Sequence, residues 1–146
     1  MDLGCKYNRK VENLPLILLV EDDATHAMLI MRTFGRLDLP ADLDWVKDGE
    51  EALNYLHKYE YEKDHRMPNL IILDLRLPKL DGHEVLREIK HSEELSTIPV
   101  VILSTSKVDE DILKAYTNRA DGYLVKPVDF DKLQKMIKYI YTNWIG

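Results

Sequence analysis

Three runs of consecutive apolar residues punctuate the chain: Leu16-Ile17-Leu18-Leu19-Val20, Leu70-Ile71-Ile72-Leu73 after Asn69, and Val100-Val101-Ile102-Leu103 after Ile98-Pro99. Short runs without alternation belong to strands covered on both faces, as in parallel sheets; a strand with one wet face would alternate. Helical spacing fills the intervals. Ala27, Ile30, Phe34 and Leu37 form a stripe after the first run, and Ala52, Leu53 and Leu56 follow the Lys47-Asp48-Gly49 turn. Val85, Leu86 and Ile89 open a helix after Asp81-Gly82, expected to end near His91. Ile112, Leu113 and Tyr116 are the predicted apolar face of a helix from Asp109 to about Asn118. Leu133, Ile137, Ile140 and Trp144 mark the last helix, about Asp129 to Asn143. Two weaker strands complete the set: an edge over Ala41 to Val46, with Leu43 and Trp45 on alternate positions, and Tyr123-Leu124-Val125. His57 to Arg66, dense in charge and tyrosine, is expected to be extended helix end and solvated loop. Strand and helix alternate five times. The predicted fold is α/β, a doubly wound five-stranded parallel sheet with five helices and right-handed crossovers.

A parallel sheet gathers the carboxyl ends of its strands on one edge, where ligands bind in open α/β folds. Here those ends carry Glu21 and Asp22, Asp74, Ser104, and Lys126. Any one of them has an ordinary structural explanation as a cap or turn former, and Asp48 and Asp81, each before a glycine, are read that way. The combination points elsewhere. Carboxylates about 4 Å apart repel by roughly 4 kcal/mol per pair at an effective dielectric near 20, so Glu21, Asp22 and Asp74 on one edge call for a cation. Oxygen ligands with no His or Cys among them suit Mg²⁺. With Lys126 the charge then balances, in a site suited to receive a phosphoryl group. Asp74, central and followed by a loop open to solvent, is the candidate nucleophile for an aspartyl phosphate.

Composition narrows the class without changing the picture. The 146 residues suit one domain, expected over 15–146 behind a polar tail of residues 1–14. An apolar fraction of 45% and a charged fraction of 32% are those of a soluble globular protein, and no stretch approaches the roughly 20 apolar residues of a membrane span. The N-terminus has no signal-peptide core, so the expected location is cytoplasmic. A net charge of −6 without a basic cluster excludes the electrostatic footprint of a nucleic-acid binder. The single cysteine, Cys5, has no partner for an internal disulfide.

Over about residues 15 to 144 the chain resembles the receiver domain of two-component response regulators, whose fold is flavodoxin-like. The resemblance rests on Leu19-Val20-Glu21-Asp22, on Asp74-Leu75-Arg76-Leu77-Pro78 with Asp81-Gly82, on Ser104, and on Gly122-Tyr123-Leu124-Val125-Lys126-Pro127. It implies that Asp74 accepts a phosphoryl group from a phosphohistidine on a sensor histidine kinase. It also implies that Asp22, Asp74 and the Arg76 backbone carbonyl bind Mg²⁺ directly, with Glu21 acting through water. Lys126 would pair with the phosphoryl oxygens, Ser104 would turn inward to meet one, and Tyr123 would follow from an outward to an inward rotamer. A cis peptide before Pro127 is expected on the same ground. Ser104 departs from the commoner Thr, and Arg76 and Ser106 flank the path of the water that would attack the acyl phosphate.

Twenty residues follow Lys126, enough for one helix, so the expectation is a stand-alone receiver whose output is a surface. Ala24, Met28 and Met31 widen the apolar stripe of the first helix into a candidate docking face for a kinase's helical domain. The broad face of the last helix, Leu133, Met136, Ile137, Ile140, Tyr141 and Trp144, suggests a homodimer through the fourth helix, fifth strand and fifth helix. The polar tail and the charged segment from His57 to Arg66 resemble receivers that partner phytochrome-type kinases. Two alternatives stand beside this reading. An aspartate-nucleophile phosphatase would need a second Asp two residues after the first, where this chain has Arg76, and a pseudo-receiver would bind partners without phosphate.

Overall fold

Five strands form one parallel sheet in the order β2-β1-β3-β4-β5, with β1 at Leu16–Val20, β2 at Asp42–Val46, β3 at Leu70–Leu73, β4 at Val100–Ser104 and β5 at Gly122–Val125. The computed structural model describes residues 14–62 and 65–146. Every residue of β1, β3 and β4 is buried, whereas β2 and β5, at the edges, are only partly so. This explains the unbroken apolar runs: each central strand sends alternate side chains to two covered faces. Leu18, Val20, Ile71, Leu73 and Ile102 point to one layer, Ile17, Leu19, Ile72, Val101 and Leu103 to the other.

Five helices cover the two faces: α1 at Ala24–Arg36, α2 at Gly49–Tyr61, α3 at Gly82–His91, α4 at Asp109–Thr117 and α5 at Phe130–Trp144. Ala27, Ile30 and Phe34 of α1 share one layer with Leu133, Ile137 and Ile140 of α5. Ala52 and Leu56 of α2, Val85, Leu86 and Ile89 of α3, and Ala115 of α4 fill the other. Asp23, Asp48, Asp81 and Asp129 cap α1, α2, α3 and α5, each accepting from a backbone N–H of the first turn. Gly82 is required for packing: a Cβ there would lie 2.4 Å from the Asp74 carbonyl, so any side chain would push α3 off the end of β3.

Four expectations change. The inward face of α4 is Asp111, Ile112, Ala115 and Asn118, while Leu113 is 70% and Tyr116 50% exposed. The helix is turned this way because Asp111 is held from inside by His83 and Ser106. Every described peptide bond is trans, including that before Pro127, and Lys126 is aimed by its ion pairs. The apolar stripe of α1 divides: Met31 packs on the core, and Ala24 and Met28 stay exposed. The wide face of α5 is largely used within the chain. Tyr141 meets Phe34 edge-on at 6.4 Å and donates to the Pro40 carbonyl, and Trp144 lies over Gly122. The tail over residues 1–14, Leu14 excepted, and Cys5 with it, lies outside the described residues.

At the sheet edge opposite the strand-end acids, Lys90 is buried and donates to the Ser96 and Ile98 carbonyls and to Asp121 at 2.8 Å, while Asp121 also accepts from Val100 N–H. Lys90→Met strips two carbonyls and a carboxylate of their donor and is expected to cost about 2 kcal/mol in urea unfolding. An unchanged unfolding midpoint would show that the cluster adds nothing to stability.

Candidate functional site

The carboxyl ends of β1, β3 and β5 bring four side chains together. Glu21, Asp22 and Asp74 each offer a carboxylate oxygen, and these oxygens lie within 4.8 Å of one another. Lys126 Nζ bridges two of them, donating to Glu21 Oε1 and, at 3.1 Å, to Asp74 Oδ2. Asp74 Oδ1 accepts the Arg76 N–H at 3.2 Å, and Glu21 Oε2 accepts the Asp23 N–H at 3.1 Å. Glu21 and Asp74 are buried and Asp22 is exposed, so the cluster opens to solvent on one side. The β3–β4 register, Leu73 opposite Ile102, puts Ser104 on the neighbouring strand just past the level of Asp74.

Three carboxylates against one lysine leave a net charge of −2, and the site answers by holding protons. Burial pushes Glu21 up to about 7 against the pull of Lys126, with the Asp74 charge adding to the rise. Burial opposes a charge on Lys126, yet its hydrogen bond to Glu21 and the Asp74 charge carry it above the ordinary lysine value. Burial is the main cause at Glu21 and the neighbouring carboxylates at Lys126, in a cluster that remains short of positive charge. An oxygen-only donor set with that shortage fits a hard divalent cation.

Ser104 is fully buried, and its Oγ accepts the Ser106 N–H at 3.3 Å. Its carbonyl accepts the Lys126 N–H at 2.8 Å, tying the ends of β4 and β5. Tyr123 is half-buried and donates its hydroxyl to the Ser106 carbonyl at 2.9 Å, an inward placement. Arg76 keeps its side chain in solvent and reaches the site through its backbone. Two participants were not anticipated from the sequence. His26, in the first turn of α1, places Nδ1 3.4 Å from Lys126 Nζ, and its position four residues after Asp22 was the available signal. Asp111 links Ser106 to His83, and nothing in its spacing distinguished it from an ordinary acid at a helix N-terminus.

Fold and strand ends together define a doubly wound α/β protein with an acidic, lysine-bridged pocket at the carboxyl edge of its sheet. Residues 17–138 match the response regulator receiver domain, and the chain belongs to that family. It is 49% identical over 131 residues to the probable methanogenesis regulatory protein FilR2 of Methanothrix harundinacea, covering 90% of this chain and 84% of that one. The phosphorylated cyanobacterial phytochrome response regulator RcpA superposes with a TM-score of 0.84 at 38% identity, over 91% of this chain and 95% of RcpA. The Mn²⁺-bound form of response regulator Rcp1 gives 0.82 at 36% identity, over 90% of this chain and 95% of Rcp1. The expectations of a receiver and of its doubly wound fold are thereby borne out. Among the described residues no helix is long and apolar enough to cross a membrane.

Proposed function

We propose that Asp74 is the phosphoacceptor of a two-component response regulator, taking the phosphoryl group from a phosphohistidine of a sensor histidine kinase inside the cell. The observation that carries this reading is the convergence of Glu21, Asp22 and Asp74 on one another and of Lys126 on two of them, at the end of a central strand. In the transfer, an Asp74 carboxylate oxygen bonds to phosphorus as the phosphorus–nitrogen bond to the histidine breaks, and the imidazole leaves. We assign the new bond to Oδ2. Lys126 already lies against that oxygen and passes to a phosphoryl oxygen without leaving the site, while Oδ1 keeps the Arg76 N–H. Ser104 supplies a hydroxyl to a second phosphoryl oxygen, and Tyr123 holds the inward position beside it. Glu21, Asp22, Asp74 and the Arg76 carbonyl are the groups that would hold Mg²⁺, whose charge screens the carboxylates from the incoming anion. The Mn²⁺ in the Rcp1 structure supports a divalent ion in this family. Residues 15–146 act as one receiver unit that catalyses only its own phosphorylation and dephosphorylation and signals through its surface.

The reading is tested by incubating the protein with a small phosphoryl donor and Mg²⁺, then measuring intact mass and mapping the modified peptide. One phosphoryl group on Asp74, lost when Mg²⁺ is omitted, is the expected result. Steady turnover of a phosphatase substrate would favour the aspartate-nucleophile phosphatase instead.

The kinase is placed on α1, where Met28 and Leu29 are exposed beside a half-open groove of about 310 Å³ floored by Ile30, Leu103 and Leu133 and edged by Lys126. A phytochrome-type kinase is the donor to try first, given the likeness to RcpA and Rcp1. Met28→Asp is expected to slow phosphotransfer from the kinase by about tenfold, the effect of losing a modest interface anchor, while uptake from a small donor is unchanged. Equal kinase rates would remove α1 from the interface. A second copy of the chain is placed on the α4, β5 and α5 face, where Leu113, Tyr116 and Tyr139 are exposed. Sedimentation that finds only monomer, with and without a phosphoryl mimic, would refute this.

A further inference from the structure

A chain of hydrogen bonds runs from α3 to Tyr123 through groups that take no part in the transfer itself. His83, in the first turn of α3 and buried, places Nε2 3.2 Å from Asp111 Oδ1 in the first turn of α4. Asp111 Oδ2 accepts the Ser106 hydroxyl at 2.6 Å, and the same hydroxyl oxygen accepts the Val108 N–H at 3.3 Å. Ser106 is the hub: its N–H donates to Ser104 Oγ, and its carbonyl accepts the Tyr123 hydroxyl. Two groups named above as signal-bearing, Ser104 and Tyr123, therefore both bond to the backbone of one buried residue. Its side chain ties that residue directly to the start of α4 and, through Asp111, to His83 of α3.

The donors and acceptors are determined. The Ser106 and His83 hydrogen bonds hold the Asp111 carboxyl below the usual carboxylate range, so it is ionised at neutral pH and only accepts. His83 must then donate through Nε2–H, and its buried Nδ1 has no hydrogen-bond partner. A buried imidazole with one nitrogen unsatisfied is a poor choice for packing alone, since an apolar side chain of similar size would avoid that cost. What the imidazole adds is the Nε2–H directed at Asp111.

We propose that His83, Asp111 and Ser106 form a clamp that positions the loop between β4 and α4, holding the Ser106 carbonyl where inward Tyr123 can reach it and so favouring the phosphoryl-bound state. All three are positioning residues: His83 and Asp111 act through Ser106, and Ser106 acts through its backbone. The proposal rests on the assignment of Asp74 as the phosphoryl site. Coupling is reciprocal, so whatever loosens the clamp weakens binding of a phosphoryl mimic at Asp74 by the factor it takes from the inward state.

The test measures beryllofluoride affinity in Mg²⁺ for the unaltered chain, His83→Met, Ser106→Ala and His83→Gln. His83→Met removes the N–H together with the unsatisfied Nδ1, and is expected to weaken the mimic about fivefold or more while thermal stability holds or rises. His83→Gln, whose amide N–H falls near the place of Nε2, should restore affinity. The double variant His83→Met with Asp111→Asn should be no weaker than the weaker single variant, because both break one chain. A second readout needs no phosphoryl group: the fluorine resonance of fluorotyrosine at position 123, assigned with Tyr123→Phe, should shift in His83→Met and Ser106→Ala and return in His83→Gln. If His83→Met does not fold, Ser106→Ala, which loses one hydroxyl, decides. Variants with the affinity and the Tyr123 resonance of the unaltered chain would overturn the clamp. An unaltered chain that takes no beryllofluoride would overturn the Asp74 assignment, and the fluorine readout would still decide the clamp.

Discussion

Asp74→Asn is expected to abolish acyl-phosphate formation while leaving the fold in place. The amide has no anionic oxygen with which to attack phosphorus, and neither Glu21 nor Asp22 occupies the end of the central strand from which Asp74 is presented. The fold does not depend on the charge. Strand β3 is held by Leu70 to Leu73, buried between both helical layers, and the Asn carbonyl oxygen can still accept the Arg76 N–H. Lys126 keeps Glu21 as partner, so the change in stability should stay within about 1 to 2 kcal/mol. The charge does matter to its neighbour: the Asp74 carboxylate is one of the groups raising Glu21, and without it Glu21 should titrate lower. Intact mass after incubation with a small phosphoryl donor and Mg²⁺, with circular dichroism and a thermal melt as controls, checks all three expectations. A folded Asn variant that still gains one phosphoryl group would move the acceptor to another residue, Asp22 first among them.

What the sequence made legible follows from where burial is complete. Leu16 to Val20, Leu70 to Leu73 and Val100 to Leu103 are apolar at every position because both faces of each strand are covered. Their ends could then be located to the residue, and parallel geometry alone placed Glu21, Asp22, Asp74 and Lys126 on one edge. The face of α4 was not legible. Leu113 and Tyr116 carry larger apolar side chains than Asp111 and Ala115, but a short helix with apolar residues on one side and a bonded carboxylate on another turns toward the stronger tether. Lys90 was equally opaque, since its burial depends on Ser96, Ile98 and Asp121, groups outside its own helix that carry no periodic signal. Both misses concern polar groups whose partners come from elsewhere in the chain. Pattern reading assigns such groups to solvent by default, and here they hold the loop between β4 and α4 and the far edge of the sheet.

The second large effect comes from the proton on buried Glu21. Unfolded, Glu21 titrates near its ordinary 4.5; folded, burial pushes it up to about 7. Between those values the folded state binds more protons than the unfolded, so this group's contribution to stability is fully present below about 4.5 and is lost as pH rises through about 7. At about 1.4 kcal/mol per unit, the loss is on the order of 3 kcal/mol across the window. Mg²⁺ should reverse the trend. It favours the ionised cluster and at 100 times its dissociation constant adds about 2.7 kcal/mol, but to bind it must expel the Glu21 proton. Its affinity should therefore fall by about tenfold between pH 8 and pH 6. Thermal melts at both pH values, in chelator and in Mg²⁺, read this directly, with Glu21→Gln as the control that should flatten the metal-free slope. If Mg²⁺ raises the melting temperature equally at both pH values, Glu21 is not the proton it displaces. The site would then owe its cation preference to Asp22 and Asp74 alone.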